Sequence, residues 1–134
     1  MKKQRLSWAT YALELAKVAA KRSEDPYLQV GACALRHDHS VASLGYNGAP
    51  PNLEIDWSDR DERRRRVVHA EVNALRYLKP QECSLLACTH LPCNDCLRAI
   101  ASYEIKKIVF SEIYDKDNSS LSLAKEFGIE LIKF

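Results

Sequence analysis

The tightest constraint on this chain is a small set of residues that must meet in space. His69-Ala70-Glu71 is followed, 24 positions after the histidine, by Pro92-Cys93-Asn94-Asp95-Cys96. One imidazole and two thiols suit zinc, which takes four positions in a tetrahedral site. Three protein ligands leave one position for water, as in catalytic rather than closed structural centres. A structural zinc site or a redox Cys-x-x-Cys pair requires neither the adjacent glutamate nor the three-donor set. Glu71, a carboxylate that is not itself a ligand, is placed to move the protons of a hydrolysis.

The spacing also constrains local structure. Cys93 and Cys96 stand at i and i+3, so both sulfurs share one face in the first turn of a helix that Pro92 begins, and the helix dipole there favours thiolates. His69 and Glu71, at i and i+2, lie about 200° apart around a helix. They converge only at a point off its N-terminus. Both helices are therefore expected to aim their N-termini at the metal, partly restoring the Lewis acidity that two thiolates weaken.

Around this core the pattern alternates. Leu6, Ala9, Ala12, Leu13, Ala16, Ala19 and Ala20 recur at helical spacing, and with Ser7 as cap they predict a helix over 7–21. Val30–Leu35 and Ser40–Tyr46 read as a hairpin around the turn at 36–39. Residues 47–66 form a long polar loop with a charged helical turn near its end. A helix over His69–Lys79 closed by Pro80, a buried strand Ser84–Thr89, a helix from Pro92 and a strand Lys107–Phe110 follow. Ser119–Phe127 reads as a helix stopped by Gly128, and Ile129–Phe134 as a last strand. The order predicts an α/β fold with one mixed five-stranded sheet covered by helices on both faces.

The 134 residues suit one domain, 1–134, with no room for a separate regulatory unit. With 46% hydrophobic and 28% charged residues, the composition excludes disordered and collagen-like classes. A formal charge of +2 argues against a nucleic-acid polymer or an acidic membrane surface as partner. The chain has no apolar run of membrane-spanning length, and its basic start leads into an amphipathic segment rather than a signal core. Five cysteines, an odd number, make a disulfide framework improbable and point to a reducing, cytoplasmic setting. Cys33, Cys83 and Cys88 are read as buried structural residues.

Beyond the metal motif, Ser23-Glu24-Asp25-Pro26, Gln29-Val30-Gly31-Ala32, Gly45-Tyr46-Asn47-Gly48, His69-Ala70-Glu71-Val72-Asn73-Ala74 and Thr89-His90-Leu91-Pro92 complete a pattern spanning about Ser23 to Phe110. It resembles the cytidine and deoxycytidylate deaminase superfamily, and within it the dCMP deaminases; His-x-Glu with Pro-Cys-x-x-Cys is the signature of zinc nucleobase deaminases. The resemblance implies a three-layer α/β/α cytidine-deaminase-like fold and zinc-dependent deamination of dCMP to dUMP and ammonia, a source of the dTMP precursor. A zinc-activated water would attack C4 while Glu71 protonates N3 and then assists the departing ammonia. Resemblance assigns zinc to His69, Cys93 and Cys96, a sugar contact to Asn47, and further substrate contacts to Ser23, Ala70, Leu91, Pro92 and Tyr114.

The same resemblance implies a homohexamer, activated by dCTP and inhibited by dTTP with Mg²⁺. The regulatory nucleotide would bind at Gly45, Tyr46, Asn47 and Gly48, with Arg22 and Arg65. Some members carry a longer loop before the zinc histidine, with a further histidine or cysteine for a second metal. Residues 49–68 contain neither, so no second zinc is expected in that loop. Instead the loop carries Arg60 and Arg63 to Arg66, which suit a phosphate of substrate or regulator, or else form a solvated face. Deamination of a nucleic acid, a free base or a nucleoside is the alternative reading, as is a silent subunit that only binds nucleotide.

Overall fold

The computed structural model describes residues 2–113 and 119–134, so Tyr114 lies outside the described residues. The elements run α1 (Trp8–Ala20), β1 (Gly31–Arg36), β2 (Val41–Tyr46), α2 (Arg60–Arg66), α3 (Ala70–Leu75), β3 (Cys83–His90), α4 (Asn94–Ser102), β4 (Lys107–Glu112), α5 (Ser119–Glu126) and β5 (Glu130–Lys133). The sheet order is β2-β1-β3-β4-β5. β1 is antiparallel to both β2 and β3, whereas β3, β4 and β5 run parallel. This is the expected mixed five-stranded sheet with helices on both faces.

Strict alternation along the central strands sorts the core into two layers. Ala32 and Ala34 of β1, Leu86 and Cys88 of β3 and Ile108 of β4 turn to the face covered by α3, α4 and α5. Cys33, Leu35, Leu85, Ala87 and Val109 turn to the other, where Ala12, Leu13 and Ala16 of α1 meet them. Cys33, Cys83 and Cys88 are all buried. Burial pushes the Cys33 thiol up to about 11 and the Cys83 thiol up to about 12.

Ser7 caps α1, its Oγ accepting from Thr10 N at 3.1 Å. Leu6, counted with the apolar stripe, instead lies outside the helix and is exposed. The helix expected over His69–Lys79 ends at Leu75. Bonds from Tyr77 N to Ala74 O and from Leu78 N to Leu75 O tighten the chain there and turn Leu78 into the core. Lys79, preceding Pro80, is also disfavoured in a helix. Gly128, at φ +70°, follows α5 in the left-handed conformation of a helix stop.

Two glycines set how closely helices approach the sheet. A Cβ on Gly31 would stand 1.8 Å from Ala16 O of α1, and one on Gly45 would stand 2.4 Å from Ala70 O and 2.5 Å from Ala74 N of α3. Gly45 therefore sets the height of the helix that carries Glu71. We expect Gly45→Ala to lower the unfolding free energy by at least about 2 kcal/mol, measured by urea denaturation. Gly48→Ala, whose Cβ meets nothing within 4 Å, should change it by less than about 1 kcal/mol. Equal effects of the two would refute the packing role of Gly45.

Candidate active site

Both helices of the metal motif begin with a donor residue. His69 is the N-cap of α3 and Cys93 the N-cap of α4, and neither side chain caps its helix. An N-cap side chain ordinarily satisfies an exposed N–H of the first turn; here the two cap side chains face each other. α4 starts at Asn94 rather than at the expected Pro92, because Cys93 takes the extended cap conformation, φ −72° and ψ 170°. Cys96 is the third helical residue and still faces the same point.

His69 Nδ1 lies 3.3 Å from Cys96 Sγ and 3.6 Å from Cys93 Sγ. The three donor atoms fall within 4.8 Å of one another. With Zn–S near 2.3 Å and Zn–N near 2.0–2.1 Å, neighbouring ligands of a tetrahedral zinc stand about 3.5–3.8 Å apart. One nitrogen and two sulfurs at this spacing fit zinc.

The charges are unequal. A hydrogen bond from Cys96 and then one from His69 hold the Cys93 thiol down to about 4. Cys96, the donor in that pair and buried, is pushed well above the usual thiol range. His69 is raised, chiefly by its hydrogen bond to Cys93. Glu71, the second residue of α3, lines the same cleft and is 4% exposed. Burial raises its carboxyl, with His69 opposing part of that rise. It makes no ion pair among the described residues, and its side-chain partner is Cys96 of the donor cluster.

The cleft encloses about 880 Å³ and is lined by the segment after α1, by α2, by the starts of α3 and α4, and by the end of β3. Ala70, Leu91, Pro92 and Asn47 lie on its wall. Asn47 also organises the loop after α1: its Oδ1 accepts from Val30 N at 2.8 Å and its Nδ2 donates to Leu28 O at 2.9 Å. A second lone pair on Oδ1 is its remaining capacity toward a ligand. Ser23 is behind this wall, donating to Asn47 O at 2.8 Å.

Of the residues expected at a regulatory site, Gly45 packs under α3 and Gly48 bridges to Val68. Arg22 lies over the Tyr46 ring at 5.9 Å, away from the cleft, and Arg65 is exposed. Two residues of the cleft lining, Tyr27 and His90, are placed by hydrogen bonds that motif spacing does not mark. Asp25 Oδ1 accepts from Tyr27 N and Leu28 N and turns Tyr27 toward the cleft. Thr89 Oγ1 accepts from Gly31 N at 3.0 Å and lies 2.8 Å from His90 Nδ1. The neutral imidazole makes this contact in either tautomer, as acceptor from the hydroxyl or as donor to it. Burial lowers the His90 imidazole, favouring this neutral form.

A three-donor metal cluster beside a buried carboxylate, at two helix N-termini of an α/β/α sheet, fits the site of a zinc hydrolase. The model of the cytidine and deoxycytidylate deaminase zinc-binding region matches residues 6–112, and the chain belongs to that family. Human deoxycytidylate deaminase is 31% identical over 144 aligned positions, covering 96% of this chain and 80% of the human one. The dCMP deaminase of cyanophage S-TIM5 superposes with a TM-score of 0.78 at 26% identity, covering 94% of this chain and 96% of the phage chain. The same phage enzyme in complex with dCMP and dUMP gives 0.72 at 26% identity, over 95% and 93% of the two chains.

Because the Cys96 thiol is held protonated, a metal ion must displace its proton to bind. Zinc affinity should therefore fall as pH falls, about tenfold per pH unit for each proton released. Competition with a chromogenic chelator between about pH 8 and pH 6 measures this; a flat affinity would contradict the assignment of Cys96 as a thiolate donor.

Proposed function

We propose that this chain catalyses the hydrolytic deamination of dCMP to dUMP and ammonia, with one zinc held by His69, Cys93 and Cys96. The observation that carries the reading is Glu71, buried in the cleft beside the donor cluster and outside it. The phage enzyme's complex with dCMP and dUMP supports the nucleotide as substrate class. When bound, the zinc supplies Lewis acidity that lowers the pKa of a coordinated water from about 15.7 toward about 7.

Glu71 accepts the proton of the attacking water and delivers it to N3 as C4 becomes tetrahedral; it then takes the proton of the new C4 hydroxyl and gives it to the departing amine as the C4 carbonyl forms. A carboxyl raised by burial holds that proton more firmly than an exposed glutamate would, which suits both halves of the task. The N–H groups that begin α3 and α4 lack capping side chains and leave a positive potential at the reacting end of the cleft. The leaving amine becomes ammonia, and water oxygen becomes the new carbonyl of uracil, so atoms balance without a further co-reactant.

The regulatory reading extends this proposal: dCTP activates and dTTP with Mg²⁺ inhibits a hexameric enzyme, through the surface of Arg22 and Tyr46. Its support is the placement of that pair outside the cleft. Activity at low dCMP should rise with dCTP and fall with dTTP; a flat response removes the regulation and leaves the catalysis.

Loss of absorbance on incubating the zinc-loaded protein with dCMP, CMP, deoxycytidine and a cytosine-containing oligonucleotide tests the substrate. Turnover of the oligonucleotide but not of dCMP would overturn the proposal. Glu71→Gln should keep stoichiometric zinc and lose about 10²- to 10⁴-fold in kcat. Full activity in that variant would remove Glu71 from the mechanism.

A further inference from the structure

The arginines of α2 fall into separate sets. Arg66 pairs with Glu62 at 3.0 Å, and Asp59 uses its carboxylate on the N–H groups of Asp61 and Glu62. Arg60, Arg63 and Arg64 line the catalytic cleft, and among the described residues none of them has an ion-pair partner. Positions i, i+3 and i+4 share one helix face, so these three guanidinium groups form one positively charged wall of the cavity that also holds Glu71 and the metal donors.

Arg63 is the most constrained of the three. Its guanidinium carbon stands 3.9 Å from the centroid of the Tyr27 ring. Stacking of this kind fixes the planar fork without using its N–H groups. Arg63 Nε is buried and has no hydrogen-bond partner among the described residues. Asn94 Oδ1, of another residue lining the same cleft, is likewise buried without a partner among the described residues. Buried polar atoms are ordinarily satisfied, and two unsatisfied ones in one cleft mark it as completed by a polar ligand. A rigid, unpaired fork with two further arginines beside it suits a phosphate, whose three terminal oxygens accept from several directions.

We propose that Arg63, assisted by Arg60 and Arg64, binds the 5'-phosphate of the nucleotide whose base lies against Glu71, and so sets the preference for nucleotide over nucleoside. This rests on the reading of the cleft as a cytosine-nucleotide site. Tyr27 acts as the positioning residue that holds the fork in place.

The test is calorimetric titration of the zinc-loaded protein with dUMP and with deoxyuridine, which needs no turnover. Wild type should bind dUMP at least about tenfold more tightly than deoxyuridine. Arg63→Gln should weaken dUMP about 10- to 100-fold and leave deoxyuridine unchanged, with Arg63→Lys recovering part of the loss. In kinetics the same factor should appear in kcat/KM for dCMP, mainly through KM. Unchanged dUMP affinity in Arg63→Gln, equal losses for dUMP and deoxyuridine, or no preference for dUMP in wild type would each overturn the proposal. Loss of dTTP binding with dUMP binding intact would assign the arginines to an effector and overturn it too. A wild type that binds dUMP through Arg63 yet never deaminates dCMP would refute the proposed reaction and uphold the phosphate assignment.

Discussion

Two helix starts must come close enough to share one ion, and most of the fold exists to hold them there. α4 is delivered by β3, the central strand, whose end runs through His90 and Leu91 into Cys93; Leu91 N donates to Glu112 O of the neighbouring strand at 2.8 Å. α3 is delivered from the other side, resting on β2 at Gly45 with backbone against backbone. A helix held by a backbone contact has little freedom to move relative to the sheet. Backbone packing at Gly45 thus supports the approach of His69 to Cys96, which the contacts of His69 Nδ1 with the two sulfurs complete.

The cleft is organised by charge as well as by shape. Carboxylates that would neutralise its arginines are occupied elsewhere: Glu62 by Arg66, Asp59 by helix capping, Asp25 by the turn that presents Tyr27. Glu71, by contrast, is buried beside the metal donors and has no arginine among the groups that shift its carboxyl. One cavity thus keeps a proton-transferring carboxylate and an anion-attracting wall without their cancelling one another. Close pairing of the two would lower the carboxyl's pKa and weaken it as a proton donor.

The fold was readable in the sequence where a local rule and burial agree. Ser7 announces α1, short apolar runs bounded by polar turns announce β1 and β3, and Gly128 announces the end of α5. The departures occur where tertiary contacts override local preference. Good helix formers continue past Leu75, yet Leu78 is needed in the core and the chain tightens to place it. Pro92 favours a helix start, but Cys93 must stand as a cap for its sulfur to face His69. Gly45 reads as part of a nucleotide loop by resemblance, whereas its packing against Ala70 depends on a residue 25 positions away. Spacing brought out the metal donors and Glu71, because their chemistry needs fixed offsets. Tyr27 and His90 take their places through an Asx turn and a threonine hydroxyl, neither of which has a distinctive spacing.

The burial of Cys33, Cys83 and Cys88 has a practical consequence for the whole molecule. Enclosed by a packed core, with Cys33 held near 11, Cys83 near 12 and Cys88 well above the usual thiol range, they present almost no thiolate to an alkylating reagent at neutral pH. Cys93 alone is exposed, and Cys96 stands beside it. Rapid thiol labelling of the folded chain therefore reads the state of its metal centre directly, and slow labelling of the other three reads the opening of its core.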